Sequence, residues 1–153
     1  MIAEFHEIAR RIKDSPLHVG YTSGVFDLFH QGHKSYLHGC RAKCEFLVVG
    51  VDVDWLVKKM KGGTRPINSE LIRANSVLAT GVADAIFLKD CSAAQLLPIL
   101  RPRKYFIPSN RTLQQSRIQL LNDLGIEIDV IGYTEEISTT ALIQQFVAED
   151  TVR

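Results

Sequence analysis

Long apolar runs are missing from this chain: none approaches the roughly 18 residues that cross a bilayer, so no membrane-spanning helix is expected. Nothing at the start reads as a leader peptide. Cysteine is scarce, with three residues and no disulfide-like spacing, which points to a reducing compartment and a cytoplasmic location. Neither sign of charge is in excess. A net charge of +1 gives no global attraction to nucleic acid or to an anionic membrane, so neither is expected as a partner and any anion site must be local. Gly-x-Gly-x-x-Gly and the Walker P-loop are both absent, which weakens readings as a dinucleotide dehydrogenase or a P-loop NTPase. Repeats, low-complexity tracts and linkers are also lacking. The 153 residues therefore read as one domain, long enough to bury roughly two-thirds of the extended surface.

What is present is alternation. Apolar positions at Ile2, Phe5, Ile8, Ala9 and Ile12 form a helical stripe ended by Asp14-Ser15-Pro16, an N-terminal packing helix over 1–16. A core over 17–148 follows. A β-rich opening, Leu17 to Tyr21, leads to Thr22-Ser23-Gly24, read as a turn, and then a helix from about Gly32 to Lys43. Phe46 to Val51 has the continuous apolar character of a strand buried on both faces. Asp54 is placed to cap a short helix, and Ser69 to cap one carrying Leu71, Ile72, Val77 and Leu78. Further strands are expected at Ala85–Leu88, Tyr105–Ile107 and, as a half-exposed edge, Ile126–Ile131. Helices are expected over 92–100, 112–124 and from about Ser138. Alternating strands and helices predict an α/β fold: a single Rossmann-like domain with a doubly wound parallel five-stranded sheet and helices on both faces. Ligands in such sheets bind beyond the carboxyl ends of the strands, where the strand order reverses.

The stretch from His18 to His33 carries the strongest chemistry. It places His30 and His33 three residues apart around Gly32, where a helix begins. A helix N-terminus offers backbone N–H groups and a partial positive charge, two imidazoles add donors, and glycine allows close approach, so the motif reads as a phosphate clamp. Two other readings stand beside it: ordinary capping or surface histidines, and a zinc site from His30, His33, His38, Cys40 or Cys44, whose spacing fits no compact finger.

Gly24-Val-Phe-Asp-Leu-Phe-His-Gln-Gly-His33 resembles the signature of the cytidylyltransferase-like nucleotidyltransferases. That family includes glycerol-3-phosphate, phosphocholine and phosphoethanolamine cytidylyltransferases and heptose-1-phosphate adenylyltransferases. The resemblance spans about residues 18 to 147. It implies that Thr22, Ser23, Gly24, Val25, Phe26 and Gly32 bind the nucleotide and that His30 and His33 are catalytic. Asp27 is either an acceptor-site residue, an orienter of a histidine or a support for the turn.

Lys58-Lys-Met-Lys-Gly-Gly-Thr-Arg65 is the densest basic run. Taken alone it is either a solvated helix end or a lid in which Lys58, Lys61 and Arg65 fold over a polyphosphate. With Pro66-Ile67-Asn68 and Arg73 it is similar to heptose-1-phosphate adenylyltransferases, which implies that Lys58 and Lys61 neutralise phosphates and that Arg65 and Arg73 meet the acceptor; the bland alternative for Arg73 is decoration of a helix surface. Ser138, Thr139 and Thr140 match hydroxyls that in the family hold the β and γ phosphates at a helix start; the bland alternative is simple capping. Two departures stand nearby. Tyr133 replaces the family's arginine and Glu136 its glycine, so the site has one cation fewer and an added carboxylate. The loop after the fourth strand is Pro108-Ser109-Asn110-Arg111 in place of the family's Gly-Asp-x-Trp or Lys-Gly-Gly-Asp. Asn110 presents an acceptor beside a donor, which complements cytosine or adenine.

The resulting expectation is an enzyme that moves a nucleoside monophosphate from CTP or ATP onto a small phosphorylated alcohol or sugar, with pyrophosphate leaving. Mg²⁺ is the implied cofactor, no protein metal ligand is assigned, and a homodimer is implied by the resemblance. The alternative, motivated by Tyr133, Glu136 and the altered loop, is a nucleotide-binding module that has lost catalysis.

Overall fold

The computed structural model describes residues 2–133. The expected last helix, with Ser138, Thr139 and Thr140, lies outside them. Five strands, β1 (Val19–Gly24), β2 (Phe46–Asp52), β3 (Ala85–Lys89), β4 (Lys104–Pro108) and β5 (Glu127–Ile131), pair in parallel in the order β3-β2-β1-β4-β5. Six helices, α1 (Phe5–Ile12), α2 (Gln31–Arg41), α3 (Asp54–Lys61), α4 (Glu70–Ala79), α5 (Ala93–Leu100) and α6 (Gln115–Asp123), connect or precede them. The α/β, doubly wound reading holds.

Successive strand residues point to opposite faces, and the two buried clusters follow that period. Tyr21, Val48, Phe87 and Tyr105 pack with α1, α5 and α6 on one face. Leu47, Val49, Val51, Ile86 and Phe106 pack with α2 and α4 on the other. β2 is fully buried from Leu47 to Asp52, as its unbroken apolar run requires. β5 is the half-exposed edge, with Val130 outward and Ile131 inward.

Two local readings need correction. Thr22, Ser23 and Gly24 are strand, not turn: they pair in register with Val49, Gly50 and Val51, and the turn comes at Asp27 and Leu28. Asp54 does not cap α3, whose N-cap Val53 makes no side-chain bond; its carboxylate instead binds Arg73. On α4 Val77 is buried, while Leu71, Ile72 and Leu78 are exposed. The inward side carries Arg73 and Ala74 because the Arg73 guanidinium is bonded inside the protein. Ser69 caps α4 as expected, accepting the Ile72 N–H.

Gly20 lets β1 pass under the aromatic ring of Phe106. A Cβ there would overlap that ring and lie 2.9 Å from Cys44 Sγ. Overpacking of this kind costs about 1–3 kcal/mol. Gly20→Ala is therefore expected to lower the urea midpoint with an unchanged m-value; a midpoint equal to wild type would show that the ring moves aside freely.

Candidate active site

The strand order reverses at β1: β2 and β3 lie to one side and β4 and β5 to the other. Beyond the carboxyl ends of β1, β2 and β4 opens a cavity of about 360 Å³, lined by Ser23 and Gly24 from β1, Asp52 from β2 and Pro108 from β4. Val25, Phe26, His33, Tyr36, Met60, Lys61, Arg65, Asn110, Arg111 and Tyr133 complete its wall. A larger groove, about 740 Å³, opens at the amino ends of the strands, far from these residues and on the wrong side for ligands in this architecture.

The loop from Val25 to Phe29 is backbone-strained. Phe26 and Leu28 both have left-handed backbone, with φ of 55° and 47°, a conformation that bulky side chains adopt only when their surroundings impose it. Asp27 imposes it. Its carboxylate is 1% exposed and accepts N–H bonds from Ile67 (2.7 Å), Asn68 (2.8 Å) and Leu28 (3.1 Å), with Arg65 Nε at 3.5 Å from Oδ2. Asn68 Oδ1 accepts a second bond from the Leu28 N–H. Arg73, also 1% exposed, donates to the backbone carbonyls of Val25, Asp52 and Asn68 and pairs with Asp54 at 2.7 Å. Asp27 and Arg73, expected at the acceptor, are thus the frame that joins two loops and the end of β2. Asp27 supports the turn.

The two histidines cap α2. His30 Nδ1 accepts the Gly32 N–H at 3.0 Å, and His33 Nδ1 accepts the His30 N–H at 3.2 Å. The Gly32 amide, expected at a phosphate, is engaged in this cap. An accepting Nδ1 leaves the proton of a neutral imidazole on Nε2. The capping reading and the clamp reading are therefore compatible: the cap fixes the tautomer that makes Nε2 a donor. Nε2 of His30 lies 3.4 Å from the Tyr133 hydroxyl, and the Tyr133 ring stands 6.2 Å from that of His33. Burial, with the neighbouring His30, pushes the His33 imidazole down to about 4, against a smaller opposing pull from Asp27. His33 is neutral at physiological pH.

Lys61, Arg65 and Arg111 share the cavity wall. Partial burial, then the charges of Arg65 and Arg111, hold the Lys61 ammonium below the usual lysine range. Lys58, expected beside them, is exposed on α3 and outside this wall; Lys59 and not Lys58 reaches the neighbouring cavity. Thr22 is 1% exposed and its hydroxyl is bonded to Tyr36 Oη and the Phe106 carbonyl, so it supports the site from beneath. Ser23, Gly24, Val25, Phe26, His33, Lys61, Arg65 and Asn110 are brought together as expected. Arg111 and Asp52 were missed; the available signal was a charged residue ending a buried strand, and a cation next to Asn110.

Residues 21–145 match the model of the cytidylyltransferase-like family, and the chain belongs to that family. It is 35% identical over 136 residues to the bifunctional protein HldE of Nitrobacter winogradskyi, covering 87% of this chain and 28% of that one. With the HldE of Pseudomonas paraeruginosa it shares 34% over 140 residues, 88% of this chain and 29% of the other. The chain thus spans under a third of the length of these relatives. Among solved structures, a lipopolysaccharide core biosynthesis protein of Thermoplasma volcanium superposes with a TM-score of 0.64 at 22% identity, over 77% of this chain and 97% of that one. Pantoate–β-alanine ligase of Francisella tularensis gives 0.65 at 14%, over 97% and 78%, a likeness of fold.

Because the folded imidazole of His33 binds its proton less tightly than an unfolded histidine, the unfolded state holds more protons between about pH 4 and 6.5. Stability is expected to rise with pH through that window. In an NMR titration the His33 ring signals should stay those of the Nε2–H tautomer from pH 8 to below 5; a midpoint near 6.5 would contradict the buried, capped geometry.

Proposed function

We propose that the protein transfers a nucleoside monophosphate from CTP or ATP onto a small phosphorylated alcohol or sugar, such as glycerol 3-phosphate or a sugar 1-phosphate, and releases pyrophosphate. One observation carries this reading: Lys61, Arg65 and Arg111 line, with His33, a single cavity at the sheet's reversal point. Cations held against mutual repulsion favour a polyanion, and family membership names the chemistry. An acceptor phosphate oxygen attacks the α-phosphorus in line while the bond to the pyrophosphate oxygen breaks. The protein's share of such a reaction is positioning and charge neutralisation. His33, neutral and with its proton on Nε2, donates to a non-bridging α-phosphate oxygen; Lys61 and Arg65 neutralise the departing pyrophosphate. His30 positions His33 through the cap.

Among the described residues no three His, Cys, Asp or Glu side chains gather into a metal cage. Mg²⁺ belongs to this proposal as the ion that accompanies the triphosphate, since phosphate oxygens and water meet its octahedral demand. Asn110 on the wall supports a base with an amino group beside a ring nitrogen, as on cytosine or adenine. A cytoplasmic setting fits the three free thiols; among the described residues no helix is long and apolar enough to cross a membrane. A homodimer fits the outward Leu71, Ile72 and Leu78 of α4, and a sedimenting mass of twice 17.2 kDa would support it, whereas a monomer at all concentrations would end it.

With Mg²⁺, ATP or CTP and glycerol 3-phosphate or a sugar 1-phosphate, pyrophosphate release should depend on the acceptor. His33→Ala should reduce kcat by about a hundredfold, the size of losing one preorganised donor. Tight triphosphate binding without acceptor-dependent release would favour a binding module, and undiminished turnover in the variant would remove His33 from the chemistry.

A further inference from the structure

A second cavity, about 490 Å³, adjoins the first and shares Ser23, Gly24, Asp52, Met60, Pro108 and Arg111 with it. Its wall holds a buried ion pair: Lys89 Nζ, at the end of β3, donates to Asp52 Oδ1, at the end of β2, over 3.2 Å. The two side chains are 11% and 9% exposed. A desolvated pair is weak evidence for stability, since removing two charges from water offsets much of their attraction. Its position in the wall of a cavity suggests a ligand role. Among the described residues Asp52 Oδ2 has no protein donor within hydrogen-bond reach, and an ammonium has three N–H bonds to give. Together the pair offers an acceptor beside a donor, the complement of hydroxyl groups, each of which donates once and accepts as well.

The other lining side chains narrow the ligand further. Lys59, Lys89, Arg111 and Arg117 outnumber Asp52 and Asp90, so a cationic head group is repelled. Trp55, 56% exposed, adds an apolar ring face of the kind that packs on the C–H face of a sugar. Arg111 belongs to both cavities, and its charge acts on Asp52 in one direction and Lys61 in the other. A phosphate on Arg111 stands where the two spaces meet.

We propose that this second cavity holds the acceptor's carbon chain as a polyol, the Asp52–Lys89 pair recognising its hydroxyls and Arg111 its phosphate, so that phosphorylated polyols are accepted and acceptors with a cationic head are refused. The assignment rests on the nucleotidyl-transfer reading for its role, but binding tests it separately. Four probes are titrated by calorimetry in the presence of a non-hydrolysable α,β-methylene triphosphate: glycerol 3-phosphate, glucose 1-phosphate, n-propyl phosphate and phosphocholine. Trp55, the chain's one tryptophan, gives a parallel fluorescence signal from the pocket itself. At least one polyol phosphate should bind tenfold or more tightly than both propyl phosphate and phosphocholine, and should alter Trp55 emission. In Asp52→Asn/Lys89→Gln, which removes one charge of each sign, that preference should shrink to within threefold at a saturating concentration of the triphosphate analogue. Arg111→Gln should weaken every probe at least tenfold. Equal wild-type affinity for propyl phosphate overturns the proposal without need of any variant, as does a preference that survives the double substitution. If polyol phosphates bind selectively and no transfer follows, the pocket stands and the nucleotidyl-transfer reading falls.

Discussion

The buried carboxylate of Asp27 is the interaction on which the site depends. It sits in a loop whose neighbours Phe26 and Leu28 hold left-handed backbone, and it binds three backbone N–H groups drawn from both sides of the cavity. Charge-assisted bonds to backbone amides are among the stronger ones a protein makes, and a buried carboxylate that lost them would carry an uncompensated charge. The loop after β1 is thereby tied to residues 67 and 68, which follow the basic run. Arg73 locks the same two loops to the end of β2 from the other side. Phe26, His33 and Arg65 can line one cavity because this frame fixes the segments that carry them.

Within the frame, opposite electrostatic devices sit side by side. His33 is kept neutral by burial and used as an acceptor by the helix cap, which leaves Nε2 as the donor. Partial burial and the charges of Arg65 and Arg111 both work against the Lys61 ammonium, an arrangement that an anion in the cavity would relieve. In the proposed reaction a triphosphate would relieve that repulsion as its own charge is neutralised. Preorganised donors of this kind act without reorganising during the reaction, which is where such sites gain most.

The sequence-level reading reached the fold because the apolar run of β2, the Ser69 cap and the alternation of elements are local signals, and the structure agrees with each. It singled out His33, Lys61 and Arg65 through motif spacing, and Asn110 through its place after the fourth strand; all four line the cavity. Asp27 was open between an acceptor-site role and support of the turn, and Arg73 was placed at the acceptor; what decides both is their partners, chiefly backbone groups distant in sequence. Which face of α4 turns inward was not legible either: Leu71, Ile72 and Leu78 are exposed, while Arg73, bonded inside the protein, is buried. The pair of Asp52 and Lys89 was invisible along the chain, 37 residues apart, though each is the charged last residue of a buried strand.

The central claim is that Asp27 holds the loop after β1 and the segment around Ile67 and Asn68 as one unit. Hydrogen exchange of backbone amides tests it directly. In the wild-type protein without ligand, the Ile67 and Asn68 amides should be protected despite lying in a surface loop. In Asp27→Ala they should exchange at rates near those of an open chain while Val48 and Val49 in β2 remain protected, a local opening of the site on an intact sheet. Unchanged protection of Ile67 and Asn68 in the variant would contradict the account.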